Sequence, residues 1–369
     1  MANWADVIGG KQQTMPYPLA PYTVEIDQMD RDRWNAILQE FDDANLLQTW
    51  SYSSVRWGPN NLSHLVLRHN GEIVSAVQVV IKTIPFLGAG LAYLKSGPLW
   101  QPRGTRKDLE ILRQMLRELP RVYVIERGLL LRIFPADIEG GAAALPALFE
   151  EEGFQRDVKV PTCQTAVIDL SYSLEELRGS LRPTWRRNLV LSERNNLSIR
   201  HGTSIELFDI FATLYRERLT RGRRVATASI DRFLEIQRDL PAALKMQVML
   251  CEFRGEPVAG AAVSCFGKTA LNLLSATGEK GLNLRASYFL QWRLLQWLKE
   301  QGCRFYDLDF IDPQNYPGIT QFKSGLAGRP GFTPEYLGPF ESCGRSVSRV
   351  SVNVGIRLNI AYQKMKRQF

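Results

Sequence analysis

Two copies of one α/β (α+β) domain in tandem is the fold class this sequence predicts, on three observations. The length, 369 residues, suits about two domains of ordinary size. Residues 66–79 (VLRHNGEIVSAVQV) and 250–263 (LCEFRGEPVAGAAV) match at Gly71-Glu72-x-Val74 and Gly255-Glu256-x-Val258, an offset of 184 or half the chain. Each repeat follows an acidic-basic-aromatic helical opening, Asp32-Arg33-Trp34 or Asp231-Arg232-Phe233, and precedes a strand and a long helix.

Each repeat reads as a hairpin whose turn, at Gly71 or Gly255, needs a residue tolerant of positive φ. The apolar window from Ile73 to Leu94 contains Gln78, Lys82, Pro85, Gly88 and Gly90, so it predicts strand, loop and strand rather than a membrane span. Arg106–Glu118 predicts the following helix, stopped by Pro120, with a strand over Val122–Ile125. Capping boxes at Ser173/Glu176 and Thr203/Glu206 start helices in the middle of the chain. In the second copy Leu284–Gln301 predicts a helix buried on most sides, Gly302 ends it, and Arg304–Phe310 is a short strand. The expected division is 20–160 for the first domain and 161–334 for the second, with 335–369 packing back on the first.

A hydrophobic share of 45% with 23% charged residues excludes disorder and fibres. The net charge is +8, and the stretch from Arg178 to Arg224 alone, with eleven arginines, no lysine and four acids, carries +7 of it. Five cysteines (Cys163, Cys251, Cys265, Cys303, Cys343) without C-x-x-C spacing predict reduced thiols in a cytoplasmic protein. Three scattered histidines argue against a metal site. No signal peptide is visible. The last 28 residues hold six basic residues and no acid, which fits either a packed terminal helix or contact with anionic lipid at the inner face of the membrane.

Gly88-Ala89-Gly90 lacks the third glycine of a dinucleotide loop, and no P-loop or G-x-S-x-G string occurs, which removes the usual support for Rossmann, P-loop and serine-hydrolase chemistry. Arginine used to the exclusion of lysine favours bidentate phosphate contacts, while a solvated face with i,i+4 pairs such as Glu217/Arg221 fits equally. The turn at Gly278 and Gly281 opens a helix, where free amides could hold a cofactor's phosphate; an ordinary strand-to-helix turn is the plainer reading. Arg304 to Gly328 is the least bland segment. Asp307 and Asp309 lie on its strand, Asp312 in the loop, and Phe322-Lys323 on a short helix. These carboxylates could position an amine or act as a base, and the lysine could neutralise a developing oxyanion; alternatively the acids cap backbone and the lysine is a surface charge.

The string YDLDF followed by PGITQFKSGLAG resembles the FemX- and FemAB-like aminoacyl transferases, as do LLQTWSYSSVRWG (46–58), KSGPLW (95–100) and LEELRGSLRPTWRRNL (174–189). The resemblance runs from about residue 25 to 340. It implies two GNAT-like acyltransferase domains facing a cleft, in which an amine of a peptidoglycan precursor attacks the ester carbonyl of an aminoacyl-tRNA. It places Lys323, beside Phe322, at the reaction centre; Asp307 and Asp309 of the neighbouring strand are the candidate carboxylates that go with it. Arg56 stands where the family often has a phosphate-binding lysine, one of Arg221, Arg223 and Arg224 matches its second-domain partner, and Arg187 lies in the Arg-Asn helix. The chain departs from the pattern at Ser96, which replaces the R-G-P arginine with Lys95 one place earlier, and at Trp100 and Val190-Leu191. No hairpin arm for tRNA is present. The expected function is therefore N-acyl transfer to an amine of a phosphorylated cell-envelope acceptor. Aminoacyl-tRNA is the favoured donor; acyl-CoA, its diphosphate at Gly278 and Gly281, is the alternative. The competing class is a non-catalytic protein that binds RNA or anionic lipid through the Arg178–Arg224 face. No DNA partner and no tightly bound cofactor or metal is expected.

Overall fold

The computed structural model describes residues 22–84, 89–136, 144–160, 162, 164–222, 229–329 and 331–344. In chain order the first half contains β1 (Thr23–Ile26), α1 (Arg31–Gln39), α2 (Trp50–Trp57), β2 (Leu62–His69), β3 (Glu72–Ile84), β4 (Ala89–Lys95), α3 (Leu109–Pro120), β5 (Leu130–Phe134), α4 (Ala144–Glu151) and β6 (Gln155–Arg156). There follow β7 (Gln164–Asp169), α5 (Leu174–Ser180), α6 (Pro183–Glu193), β8 (Leu197–Gly202), α7 (Ile205–Gly222), α8 (Ile230–Asp239), β9 (Gln247–Phe253), β10 (Glu256–Ser264) and β11 (Thr269–Thr277). The chain ends its described part with α9 (Glu279–Asn283), α10 (Ala286–Glu300), β12 (Phe305–Ile311), α11 (Pro317–Ala327) and β13 (Phe340–Ser342).

The strands form two sheets of the same plan. The first has the order β1-β2-β3-β4-β5-β13-β6 and the second β8-β9-β10-β11-β12-β7. In each, the fourth and fifth strands (β4/β5 and β11/β12) run parallel and all other neighbours are antiparallel. The internal repeat extends to backbone angles. Asn70 and Gly71 have φ of 54° and 84°, Arg254 and Gly255 of 53° and 81°, so both hairpins close through two positive-φ residues, the turn that matches strand twist. The sixth position is filled from elsewhere in each case. β13 returns to pair with β5, held by the buried Arg132, whose Nε donates to Glu341 at 2.7 Å.

The helix after β11 behaves as expected: Leu290, Trp292, Leu294, Leu295 and Leu298 of α10 are all buried, and Gly302, at φ 80°, ends it. The Ser173/Glu176 capping box is present. Two expectations are corrected. Val122–Ile125 is not a strand but part of a wide helical turn, Arg121–Glu126, continuing α3 through Pro120. Its short apolar run buries Val122, Tyr123 and Val124 from a helix, and a run of that length carries no period that separates strand from buried helix. The second capping box also shifts: Ser204 Oγ accepts from Leu207 N at 3.2 Å, while Thr203 offers only its carbonyl, to Gln237 Nε2. The basic segment after Arg345 lies outside the described residues, as does Cys163.

Each sheet covers a core of its own, and a third core joins them. Trp34, Leu38, Phe41 and Leu46 of the first half pack in one cluster with Phe208, Phe211, Leu234 and Ile236 of the second. Polar contacts reinforce this boundary: Lys268 Nζ pairs with Asp42 at 2.7 Å, and Arg103 donates to Phe266 O at 3.1 Å. Gly267 allows the close approach, since a Cβ there would stand 2.2 Å from Ala44 O. The β10–β11 turn is thus keyed into the loop that follows α1.

Candidate active site

The two parallel strand pairs differ in one respect. β4 and β5 stay paired through Leu91–Lys95 and Leu130–Phe134. β11 and β12 pair only over Thr269–Leu271 and Phe305–Asp307, although β11 continues to Thr277. Past that point the second sheet opens into a cavity of about 800 Å³. Its walls are the unpaired part of β11, α10, the end of β12, α11 and Tyr215, Arg218 and Leu219 of α7.

α11 carries the Phe-Lys pair to this cavity. Gly325 permits its approach, because a Cβ there would meet the Trp185 ring at 2.9 Å. Phe322 lines the cavity and packs on Trp185 and Tyr288, with ring centroids 5.8 and 5.0 Å away. It is a wall rather than a reacting group. Lys323 Nζ donates to the carbonyls of Phe310 at 2.8 Å and Asp309 at 3.1 Å. Desolvation holds its ammonium below the usual lysine range, with Asp309 and Asp307 pulling the other way. Two of its three N–H bonds are committed, and one remains for a ligand.

The carboxylates separate by environment. Asp307 is corrected from a candidate catalyst to a support: only 1% exposed, it accepts from the Thr165 hydroxyl, from Tyr336 Oη at 3.0 Å and from Asp309 N at 2.8 Å. Burial raises its pKa, and no face is left for substrate. Asp312 likewise caps Gln314 and Asn315. Asp309 is different. It sits where the β12–β7 register slips, has φ of 67°, is exposed and lines the cavity. A non-glycine residue held at positive φ costs conformational energy that the surrounding hydrogen bonds must offset.

Facing Asp309 is a wall supplied by the first half. Gln78 anchors α2 by donating to Thr49 O at 3.2 Å and Ser53 Oγ at 2.8 Å, and its Oε1 meets His64 Nε2 at 3.0 Å. His64 is stacked on Trp50 and meets Trp34 at a tilt, and burial pushes its pKa down to about 4, so it is neutral and structural. The helix so held presents Arg56 over the Tyr52 ring at 5.1 Å. Beside it stands Lys95 at the end of β4, fixed by the next residue: Ser96 N donates to Phe134 O at 2.8 Å, and Ser96 O accepts from Gln48 and Asn45. Arg56, Lys95, Tyr52 and Tyr93 line one small recess. Neither cation has an ion pair or hydrogen bond among the described residues. Desolvation and then Arg56 lower the Lys95 pKa, against the charge of Asp309. Burial pushes Tyr93 up to about 12 and Tyr52 in the same direction, the latter aided by Asp309. Asp309 therefore lines the cavity on one side and acts electrostatically on the recess on the other.

The remaining expected residues lie elsewhere. Arg187 is exposed on α6, outside both the cavity and the recess. Arg223 and Arg224 lie outside the described residues, as does the side chain of Arg221. Three of the eleven arginines are paired with acids: Arg178 with Glu193, Arg200 with Glu252 and Arg216 with Asp231. Arg218 is the member of this stretch that lines the cavity. Gly278 and Gly281, expected at a cofactor's phosphate, are engaged in packing. Gly278 N donates to Val258 O at 2.9 Å, and a Cβ at Gly281 would stand 2.1 Å from the same oxygen. Both glycines serve close packing of a short helix on β10. Lys95 escaped selection because it replaces no residue of the family pattern; its charge beside Arg56 becomes visible only when β4 and α2 are brought together. Among the described residues no helix is long and apolar enough to cross a membrane.

Residues 178–324 match a family profile described as an acetyltransferase (GNAT) domain. The fold is similar to that of the crystal structure of FemX, with a TM-score of 0.70 at 15% identity over 86% of this chain and 96% of that one. It is also similar to the C-terminal domain of a putative lysylphosphatidylglycerol synthetase from Agrobacterium fabrum (TM-score 0.54, 13% identity, 87% and 96% covered). A third similar structure is L-PGS from Bacillus licheniformis (0.53, 14%, 88% and 96%). No curated protein matches the sequence. Fold and profile together give two GNAT-like domains in tandem, the second of which matches the acetyltransferase (GNAT) domain. The chain has the FemX-like arrangement of these two domains.

Proposed function

We propose that this protein is an N-acyltransferase that moves an acyl or aminoacyl group onto an amine of a phosphorylated cell-envelope acceptor. Its domains, 20–160 and 161–334, divide the work: the second holds the donor's acyl end in the 800 Å³ cavity, and the first holds the acceptor's phosphate at Arg56 and Lys95. The observation that carries this reading is the pair of cations, Arg56 and Lys95, that line one recess and lie within electrostatic reach of Asp309, which itself lines the cavity. Similarity to FemX and to lysylphosphatidylglycerol synthetases supports an envelope acceptor and an aminoacyl-tRNA donor; the GNAT profile leaves acyl-CoA as the alternative.

In this scheme the acceptor amine, neutral when it reacts, attacks the donor carbonyl. Asp309 orients it through an N–H and receives its proton as the tetrahedral intermediate forms. The free N–H of Lys323 meets the oxyanion. Collapse of the intermediate breaks the C–O or C–S bond: the tRNA oxygen takes the proton back from Asp309 and leaves as a hydroxyl, or CoA leaves as the thiolate, and the amide is formed. Incubating the protein separately with charged tRNA and with acyl-CoA, each with a phosphorylated amine, tests the proposal. Labelled amide from one donor supports it, whereas no transfer from either overturns it.

A further inference from the structure

A side-chain amide at the floor of the cavity has its orientation fixed from behind. Gln291 of α10 lines the cavity but is only 4% exposed. Tyr306 Oη donates to its Oε1 at 2.8 Å. Tyr306 is wholly buried, and its hydroxyl makes no other hydrogen bond among the described residues, so its proton has a single acceptor. Turning the amide over would leave the hydroxyl accepting from Nε2 with its own buried proton unpaired. Gln291 Nε2 is thereby left as a donor that no described group accepts from. On β11, Asn272 also lines the cavity, and its Oδ1 accepts from Ser275 Oγ at 3.1 Å. The apolar part of the lining includes Leu290, Leu308, Ile319 and Phe322.

We infer that the cavity selects an acyl group carrying a hydrogen-bond acceptor oxygen along its chain, read by Gln291 Nε2, over the same chain as plain hydrocarbon. This rests on the proposal that the cavity holds the donor's acyl end. A hydrocarbon filling the cavity would strip water from a donor and give it nothing in exchange. An ammonium would face the Nε2 donor of Gln291, so the amine of an aminoacyl donor belongs at the Asp309 end rather than at this floor.

Two pairs of probes, each differing by one oxygen, test the inference: 3-hydroxybutyryl-CoA against butyryl-CoA, and seryl against alanyl esters of one and the same tRNA. Dissociation constants are measured on the full chain. The oxygen-bearing member of the pair that binds is expected to bind at least about tenfold more tightly. The double variant Gln291→Leu/Tyr306→Phe removes both hydrogen-bond partners without stranding either, and is expected to bring the ratio to about one. Tyr306→Phe alone frees the amide to turn and narrows the ratio without abolishing it. A purely structural role for Gln291 would change both affinities together and leave their ratio unaltered. Equal wild-type binding within a pair, or a ratio that survives the double variant, overturns the inference while leaving the donor site in place. Binding of neither pair removes the donor site and the inference with it.

Discussion

Lys323 has a support role in the structure and a chemical one in the proposed reaction. Its two carbonyl bonds hold Asp309 and Phe310 in the bulged end of β12, and in that proposal its third N–H is offered to the oxyanion. Lys323→Ala is expected to lower kcat about a hundredfold in a folded protein. Lys323→Arg should recover only part, because a planar guanidinium cannot reach the same three directions; steady-state kinetics with circular dichroism checks both. The Phe-Lys segment was legible in the sequence. The burial that makes Asp307 a support was not, since Thr165 and Tyr336 reach it from residues 142 and 29 positions away. Two other residues act on stability rather than reaction. Burial pushes Asp43 up to about 7, opposed by the N–H groups of Trp100 and Gln101 and the charge of Lys107. Between about pH 4 and 7 the folded state therefore binds more protons at Asp43 than the unfolded state, and stability falls as pH rises. His64, pushed down to about 4, has the opposite sign: the unfolded state binds more protons there, and stability rises from about pH 4 to 6.5. Asp43→Asn removes the first effect alone. Denaturant unfolding should show the variant gaining on wild type by about 3 kcal/mol as pH goes from 4 to 7; parallel profiles would contradict it.

Among the elements, the hairpins were the most legible, because a turn with two positive-φ residues leaves a mark at Gly71 and Gly255. The helix through Pro120 was not, since the continuation depends on the core that Val122 and Tyr123 enter. The opening between β11 and β12 was equally hidden: nothing in the composition of Asn272–Thr277 distinguishes a strand that keeps its neighbour from one that loses it. α9 offers a direct test of the packing role given to its glycines. Gly281→Ala would drive a methyl against Val258 O, a backbone atom that cannot step aside. It is expected to cost about 1–3 kcal/mol in urea unfolding while leaving the acceptor KM unchanged. A rise in donor KM with unaltered stability would instead return the turn to the binding site.

At the scale of the molecule, the tandem plan was readable from the repeat, whereas the shared core was not, because the clustering of Trp34 and Phe41 with Phe208 and Phe211 depends on how two separately patterned halves meet. That core and the Gly267 contact hold the recess and the cavity in one frame, and the central claim is that the acceptor's phosphate and the donor's acyl group occupy opposite sides of it. The most direct measurement is the rate of transfer to a UDP-linked peptidoglycan-precursor peptide bearing a free amine, and to the same peptide without its diphosphate, by wild type and by Arg56→Ala/Lys95→Ala. With both cations removed, the acceptor KM for the UDP-linked peptide should rise roughly tenfold to a hundredfold with kcat little changed, since such contacts stabilise ground and transition states alike, and the advantage over the diphosphate-free peptide should vanish. An unchanged KM, or an equal preference for the diphosphate in wild type and variant, would contradict the account.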